Sequence, residues 1–116
     1  MEHRQHPRFP VKFHSSFSSA NIVSGEGNLV DLSIRGCRIV SATEVKAGTT
    51  LQLRVDMSGG QPPIQVKQAV VRWCRDRGFG VEFVSLAPDE WARLQQVVKE
   101  LELEPYQRAG SMDGAA

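Results

Sequence analysis

The 116-residue sequence contains little cysteine and no excess of either charge. Cys37 and Cys74 are its only cysteines, too few for a disulfide framework, so we expect both thiols to be reduced. Fourteen Lys and Arg residues face 13 Asp and Glu residues, which leaves a net charge of +1. This balance excludes a strongly basic nucleic-acid wrapper and an acidic-tail protein.

Long hydrophobic segments are also missing. The longest stretch without Asp, Glu, Lys or Arg covers residues 13–25 and is rich in serine, whereas a membrane-spanning helix needs about 20 mostly apolar residues. The first seven residues lack the apolar core of a signal peptide. We therefore expect a cytoplasmic protein without membrane insertion, and its length predicts one domain.

Apolar and polar residues alternate along most of the chain, which is the pattern of half-buried β-strands. The alternation predicts strands within residues 11–17, 27–32, 37–40, 51–57, 64–74 and 79–83. The apolar positions change phase between Val66 and Ala69, so we expect a bulge or a bend there. Turns are predicted at residues 25–27, 47–48, 58–63 and 76–78. Many short strands separated by turns favour a barrel or a sandwich.

One helix is predicted near the C terminus. Pro88, Asp89 and Glu90 suit a first helical turn, because proline is tolerated there and the helix dipole favours acidic residues. An apolar stripe at helical spacing follows, formed by Trp91, Leu94, Val98 and Leu101. We expect this helix to pack on the strands and to end by residue 103, with residues 104–116 forming a disordered tail.

Two short polar motifs carry the chemistry. Arg4 and Arg8 form an R-x-x-x-R motif before the first strand, where Pro7 and Pro10 disfavour a helix, so residues 1–10 are predicted to be a flexible arm. Residues 31–36 form a D-x-S-x-x-G motif. Each motif alone is also typical of surface charge or of an ordinary turn.

Together, the motifs suit an anionic guanine nucleotide. Guanidinium groups bind phosphate oxygens bidentately and can face the O6/N7 edge of guanine. The Asp31 carboxylate can accept hydrogen bonds from the N1 and N2 donors of guanine. Ser33 can donate or accept, and Gly36 lets the backbone approach a ligand closely.

The two motifs in this order resemble those of PilZ domains, the bacterial receptor modules for the second messenger cyclic di-GMP. Residues 71–73 and 78–83 also resemble the closing strands of that family, and the resemblance covers residues 2–101. It implies a mainly β fold, a six-stranded antiparallel β-barrel with a C-terminal α-helix, within residues 11–103. Cyclic di-GMP would bind outside the barrel as the only ligand, with no cofactor.

The resemblance also implies a role for each motif residue. Arg4 and Arg8 would hold phosphates and guanine edges, while Asp31, Ser33 and Gly36 would hold a guanine base. Trp73 is a candidate for a secondary ligand contact, because aromatic side chains stack on bases; packing within the barrel is the alternative. Arg35 and Arg38 add positive charge near the site or are solvated surface residues.

These observations predict a receptor whose arm becomes ordered when the ligand binds. Since the sequence shows no output domain, we expect it to signal to a separate, unidentified protein. The alternative is a PilZ-like protein-interaction adaptor that does not depend on the nucleotide. The downstream pathway, the ligand stoichiometry and the oligomeric state stay open.

Two other classes are disfavoured. His3, His6, His14 and the cysteines form no known metal or nucleophile motif, so we expect neither an enzyme nor a metal site. A protein that binds single-stranded nucleic acid needs a basic groove with several exposed aromatic residues, which a net charge of +1 does not favour.

Overall fold

Six β-strands and one helix make up the computed structural model, which describes residues 7–20 and 24–115, with side chains up to residue 103. The elements are β1 (Phe9–Ser18), β2 (Gly25–Leu32), β3 (Gly36–Val40), β4 (Thr50–Val55), β5 (Ile64–Arg75), β6 (Gly78–Ser85) and α1 (Pro88–Ala115). All strand pairs are antiparallel, and the sheet closes into a barrel in the order β1-β2-β3-β6-β5-β4. The expected fold is therefore confirmed.

Alternation along each strand fills the interior of the barrel. In β4, for example, Leu51, Leu53 and Val55 are buried while the residues between them are exposed. Phe17 and Phe79 meet edge to face inside the core, with ring centroids 5.2 Å apart. The largest fully buried apolar side chains are Leu29, Leu32, Ile39, Leu51, Leu53, Ile64, Val66 and Val71. Burial of these side chains supplies the main driving force for folding.

The predicted turn at residues 25–27 is wrong, because these residues begin strand β2. Gly25 pairs with Phe17 and Gly27 pairs with Ser15 across the β1–β2 ladder. A Cβ atom on Gly27 would lie 2.4 Å from the carbonyl oxygen of Val40, a distance that real Cβ atoms essentially never show. The glycine is needed for close strand packing here rather than for a turn.

The expected irregularity in β5 is present, and a second one follows it. The pairing of β5 with β6 shifts between Gln68 and Ala69, where the buried face changes phase. It shifts again between Val71 and Trp73, which pair with Val81 and Gly80. Since Val81 follows Gly80 directly, one extra β5 residue is inserted at this point, and the strand carries a β-bulge.

Helix α1 packs against β5 and β1. Leu94 is buried in the core, and Trp91, Val98 and Leu101 pack partly buried against it, as the predicted stripe requires. Both terminal nitrogens of Arg93 donate to the loop before β5, Nη1 to the Pro63 carbonyl at 2.8 Å and Nη2 to the Pro62 carbonyl. No helix in the described part of the chain combines the length and the apolar character that crossing a bilayer requires.

The backbone stays helical to Ala115, beyond the end expected at residue 103. Pro105 marked the end in the sequence, because proline lacks the N–H that would donate within a helix and its ring crowds the preceding turn. Here the proline is accommodated within one 28-residue helix. The disorder expected for residues 104–116 and the domain boundary at residue 104 stay predictions.

Replacing a buried valine should destabilise the barrel, whereas the same replacement on its outer surface should not. Val71 is 1% exposed and Val84 is 50% exposed. We expect Val71→Ala to lower the free energy of unfolding by about 2 kcal/mol, because two buried methyl groups are lost and a cavity remains. Val84→Ala should change it by less than about 0.5 kcal/mol. Chemical denaturation measures both, and equal losses would contradict the assignment of the core.

Candidate functional site

The two sequence motifs meet where β1 begins and β2 ends. Pro10 pairs with Asp31 in the β1–β2 ladder, which brings the residue before β1 close to the end of β2. Nη1 of Arg8 donates to Oδ1 of Asp31 at 2.8 Å, and the two side chains are 35% and 25% exposed. Arg4, the other residue of the R-x-x-x-R motif, lies outside the described residues.

Ser33 holds together the turn that leads from β2 into β3. Its Oγ accepts hydrogen bonds from the backbone N–H groups of Arg35 and Gly36, both at 3.1 Å, and donates to the Gly36 carbonyl at 3.3 Å. The backbone N–H of Ser33 donates to the same carbonyl at 2.9 Å. Because Ser33 is 2% exposed, its hydroxyl is committed to the turn.

Gly36 allows this turn to lie directly against β6. It is paired with Glu82, and a Cβ atom on Gly36 would be 2.2 Å from the carbonyl oxygen of Val81. The carbonyl of Arg35 accepts a hydrogen bond from the Phe83 N–H at 2.8 Å. Any side chain at position 36 would push the turn off the sheet.

An open groove of about 440 Å³ runs over the outside of the barrel from this turn. It lies above β3, β5 and β6, and Arg8 and Arg35 stand at the side of the turn. Its lining residues are Arg8, Arg35, Gly36, Arg72, Trp73, Gly80, Val81 and Glu82. Three of the sequence-predicted site residues, Arg8, Gly36 and Trp73, therefore line one groove. Arg38 lies exposed on β3 and does not line it.

The bulge in β5 brings both Arg72 and Trp73 to the outer surface. Regular alternation after the buried Val71 would turn Trp73 inward, but residues 72–75 are all exposed. Trp73 is 36% exposed, so its side chain lies outside the barrel interior. Its indole lies against β6 at Gly80, where a Cβ atom would come within 2.3 Å of Nε1. The Arg75 guanidinium carbon lies 5.9 Å from the indole centroid on the solvent side of the sheet.

Glu82 joins two arginines across the groove. Its Oε1 accepts from Nε of Arg72 at 2.8 Å, and its Oε2 accepts from Nη2 of Arg35 at 3.4 Å. These hydrogen bonds, that of Arg72 first, lower the pKa of the Glu82 carboxyl, so the group is ionised at neutral pH. Sequence reasoning missed Arg72 and Glu82, because their proximity depends on the register of β5 and β6.

The remaining histidine and cysteine candidates lie apart from the groove. Nδ1 of His14 is hydrogen-bonded to Asp56 at 2.8 Å and Nε2 to Glu26 at 3.5 Å. These carboxylates, Asp56 first, raise the pKa of His14. Cys37 is buried, which raises the pKa of its thiol, and Cys74 is exposed. Within residues 7–20 and 24–103, no three His, Cys, Asp or Glu side chains are grouped as a metal site would require. His3 and His6 lie outside the described residues.

Fold and groove together define a class of protein, a closed antiparallel β-barrel domain with an arginine-rich groove on its outer surface. Residues 2–100 match the family model of the PilZ domain, and the chain belongs to the PilZ family. The family resemblance seen in the sequence is thereby confirmed. No curated protein sequence matched the chain.

Solved structures share the fold at low sequence identity. YcgR from Escherichia coli in complex with c-di-GMP is 21% identical with a TM-score of 0.77, over 94% of this chain and 50% of that one. The inhibitor of motility MotI/DgrA from Bacillus subtilis is 18% identical with a TM-score of 0.74, over 90% of this chain and 53% of that one. This chain thus spans about half the length of both proteins. The separate PilZ domain of Escherichia coli YcgR with c-di-GMP is 19% identical with a TM-score of 0.73, over 94% and 98%.

Removing the Ser33 hydroxyl should loosen the turn. Ser33→Ala leaves the buried N–H of Gly36 and the partly buried N–H of Arg35 without their acceptor, so we expect the free energy of unfolding to fall by about 2 kcal/mol. Ser58→Ala is the control, because Ser58 is exposed in the loop after β4. Thermal and urea denaturation compare the two variants. A Ser33→Ala variant as stable as wild type would contradict the structural role of this hydroxyl.

Proposed function

We propose that this PilZ domain is a receptor for cyclic di-GMP. The observation that carries the proposal is the meeting of Arg8, the Ser33–Gly36 turn and Trp73 around one outer groove. Cationic groups, a tight backbone turn and an exposed aromatic ring are the features that bind phosphates and stacked bases. YcgR and its separate PilZ domain, which share the fold, have been solved with c-di-GMP.

Arg8 and Asp31 can both bind the nucleotide without separating. Their hydrogen bond uses one terminal nitrogen of the guanidinium and one oxygen of the carboxylate. The Oδ2 atom of Asp31 has no hydrogen-bond partner among the described side chains and can accept from the N1–H and N2–H donors of guanine. The free N–H groups of Arg8, together with Arg4, hold a phosphate or the O6/N7 edge of a base.

The other predicted residues shape the site around the base. Ser33 fixes the turn through its hydroxyl, and Gly36 lets the turn lie flat on β6, so these two residues position the backbone that faces the base. Trp73 is 36% exposed beside the groove, and a base would stack on its indole in place of the Arg75 guanidinium that lies over the ring. In this role the protein binds its ligand unchanged and is not an enzyme.

Binding also has a consequence for the rest of the chain. Arg8 stands one residue before β1, so a ligand held by Arg8 and Arg4 draws the segment before β1 against the barrel. The ordered arm and the bound nucleotide then form a new surface for a separate protein. We place this receptor in the cytoplasm. The second candidate, a nucleotide-independent adaptor, lacks a specific observation in its favour, and both motifs that would bind the nucleotide are intact in the sequence.

Loss of Arg8 should weaken binding of cyclic di-GMP. We expect micromolar binding for the wild type and roughly 30- to 100-fold weaker binding for Arg8→Ala, because charge-assisted hydrogen bonds to the ligand are lost. Isothermal titration calorimetry with cyclic di-GMP, GTP and a short oligonucleotide measures affinity and selectivity. Arg54→Ala removes an equivalent positive charge from β4, away from the groove, and should bind like the wild type.

Two results of this titration would count against the receptor. If Arg8→Ala and the wild type bound cyclic di-GMP with equal affinity, Arg8 would not be a ligand-binding residue. Absence of cyclic di-GMP binding by the wild type would refute the proposed function and leave the adaptor.

Ligand binding should also protect the arm. We expect hydrogen–deuterium exchange of residues 2–8, the part of the predicted arm that precedes β1, to slow at saturating cyclic di-GMP, because the segment becomes held against the barrel. Exchange in the loop at residues 58–61, none of which lines the groove, should stay the same and serves as the internal reference. Unchanged exchange of residues 2–8 would refute arm ordering while leaving nucleotide binding intact.

A further inference from the structure

The Arg35–Glu82–Arg72 cluster draws its members from three different elements. Glu82 stands in β6 between Gly36 of β3 and Val70 of β5. Arg72 comes from the bulge of β5, and Arg35 from the turn before β3. All three side chains line the groove that also contains Arg8 and Trp73.

Stability of the fold does not require this cluster. The side chains of Arg35 and Arg72 are each 58% exposed and that of Glu82 is 35% exposed. Ion pairs exposed to this degree contribute little to stability, because water and salt screen them and two long side chains lose freedom. The cluster nevertheless places two guanidinium groups over a groove, which makes a role in binding the better account of it.

The hydrogen bonds leave the phosphate-binding edge of Arg72 free. Arg72 is held through Nε alone, so its two terminal nitrogens have no partner among the described residues. A guanidinium group presents these two nitrogens as a fork that matches two oxygens of a phosphate. Arg35 is held more loosely through Nη2 at 3.4 Å, and its Nη1 and Nε are likewise free. Glu82 therefore orders both arginines without using up their donors.

We infer that Arg35 and Arg72 are further phosphate-binding residues of the groove and that Glu82 is the positioning residue that holds them. The inference rests on the proposed function and extends it. Cyclic di-GMP carries two phosphates, and the Arg8–Asp31 pair is by itself electrically neutral. The cluster supplies a net charge of +1 at a second point of the same groove, where it binds the phosphate that Arg8 does not hold.

If Glu82 is a positioning residue, its replacement should change the affinity for cyclic di-GMP in the direction opposite to that expected from its charge alone. Removing the negative charge of Glu82 would strengthen binding of a dianion if Glu82 were only an opposing charge in the groove. If Glu82 orders the two arginines, its removal weakens binding, because two flexible side chains must then be immobilised by the ligand. The two accounts differ in the sign of the change, which makes the measurement decisive.

Calorimetry with cyclic di-GMP on point variants of the whole chain tests the inference. We expect Arg72→Ala to bind roughly tenfold more weakly and Glu82→Ala roughly threefold more weakly than wild type. The loss in the double variant should be smaller than the product of the two single losses, since Glu82 acts partly through Arg72. Glu82→Gln, which keeps one acceptor oxygen for Arg72, should restore part of the affinity.

Matched controls come from the Arg54–Asp56 pair. Nε of Arg54 donates to Oδ1 of Asp56 at 3.1 Å, the same type of contact, and neither residue lines the groove. Arg54→Ala and Asp56→Ala should bind cyclic di-GMP like the wild type. Phosphorus NMR of the bound nucleotide should show one phosphate resonance altered in Arg72→Ala and unaltered in Arg54→Ala.

Three outcomes would overturn the inference. Tighter binding of cyclic di-GMP by Glu82→Ala and Glu82→Gln would show that the Glu82 carboxylate only repels the anionic ligand. Wild-type affinity in Arg72→Ala, combined with lost affinity in Arg8→Ala, would refute the inference and leave the proposed receptor function intact. Absence of binding by the wild type would refute both.

Discussion

The interior of the barrel is filled by its own side chains, and this packing constraint determines where the protein can bind anything. A closed sheet of six strands is too narrow to hold a ligand once every second residue points inward. Leu29 and Ile39 are fully buried there, as are the apolar residues of β4. A ligand must therefore bind on the outer surface of the barrel. A groove forms on that surface only where the strands depart from regular geometry.

Two such departures build the groove. The Ser33–Gly36 turn borders one side of the groove. The β5 bulge borders the other side, because it turns Arg72 and Trp73 outward together. The surface between these two features consists partly of Gly36 and Gly80, which have no side chain. A methyl group at position 36 would collide with Val81, and one at position 80 would collide with the Trp73 indole. The arrangement illustrates how a rigid barrel can carry a site by means of a few backbone irregularities.

The sequence was informative wherever an interaction is local or periodic. Alternation located all six strands, and the phase change after Val66 correctly predicted the irregularity near Ala69. Register was not accessible in this way. The β5 bulge after Val71, and with it the outward placement of Trp73, follows from which β6 residue faces which β5 residue. This register is determined by packing of the whole barrel. The contact of Arg72 with Glu82 depends on the same register.

Local chemistry was also ambiguous at single residues. Glycines at positions 25 and 27 looked like a turn, yet they serve close strand packing. Ser33 is predicted to contact the ligand, and in the structure its hydroxyl is buried in the turn, where it is bonded to the backbone. A residue type restricts the possible roles, and the three-dimensional neighbours decide among them.

The pairing of groove arginines with carboxylates has a consequence for selectivity. Arg8 is paired with Asp31, and Arg35 and Arg72 are both paired with Glu82. These arginines are therefore partly neutralised by carboxylates of the protein, whereas the charges on a nucleic-acid-binding surface are neutralised by mobile ions from solution. A long polyanion gains much of its affinity by releasing such mobile ions from bare cationic surface. Because the groove arginines are paired with carboxylates, binding of a polyanion here would release few mobile ions and gain little entropy from their release. If the groove binds cyclic di-GMP as proposed, these paired carboxylates favour a compact dianion over a long polyanion.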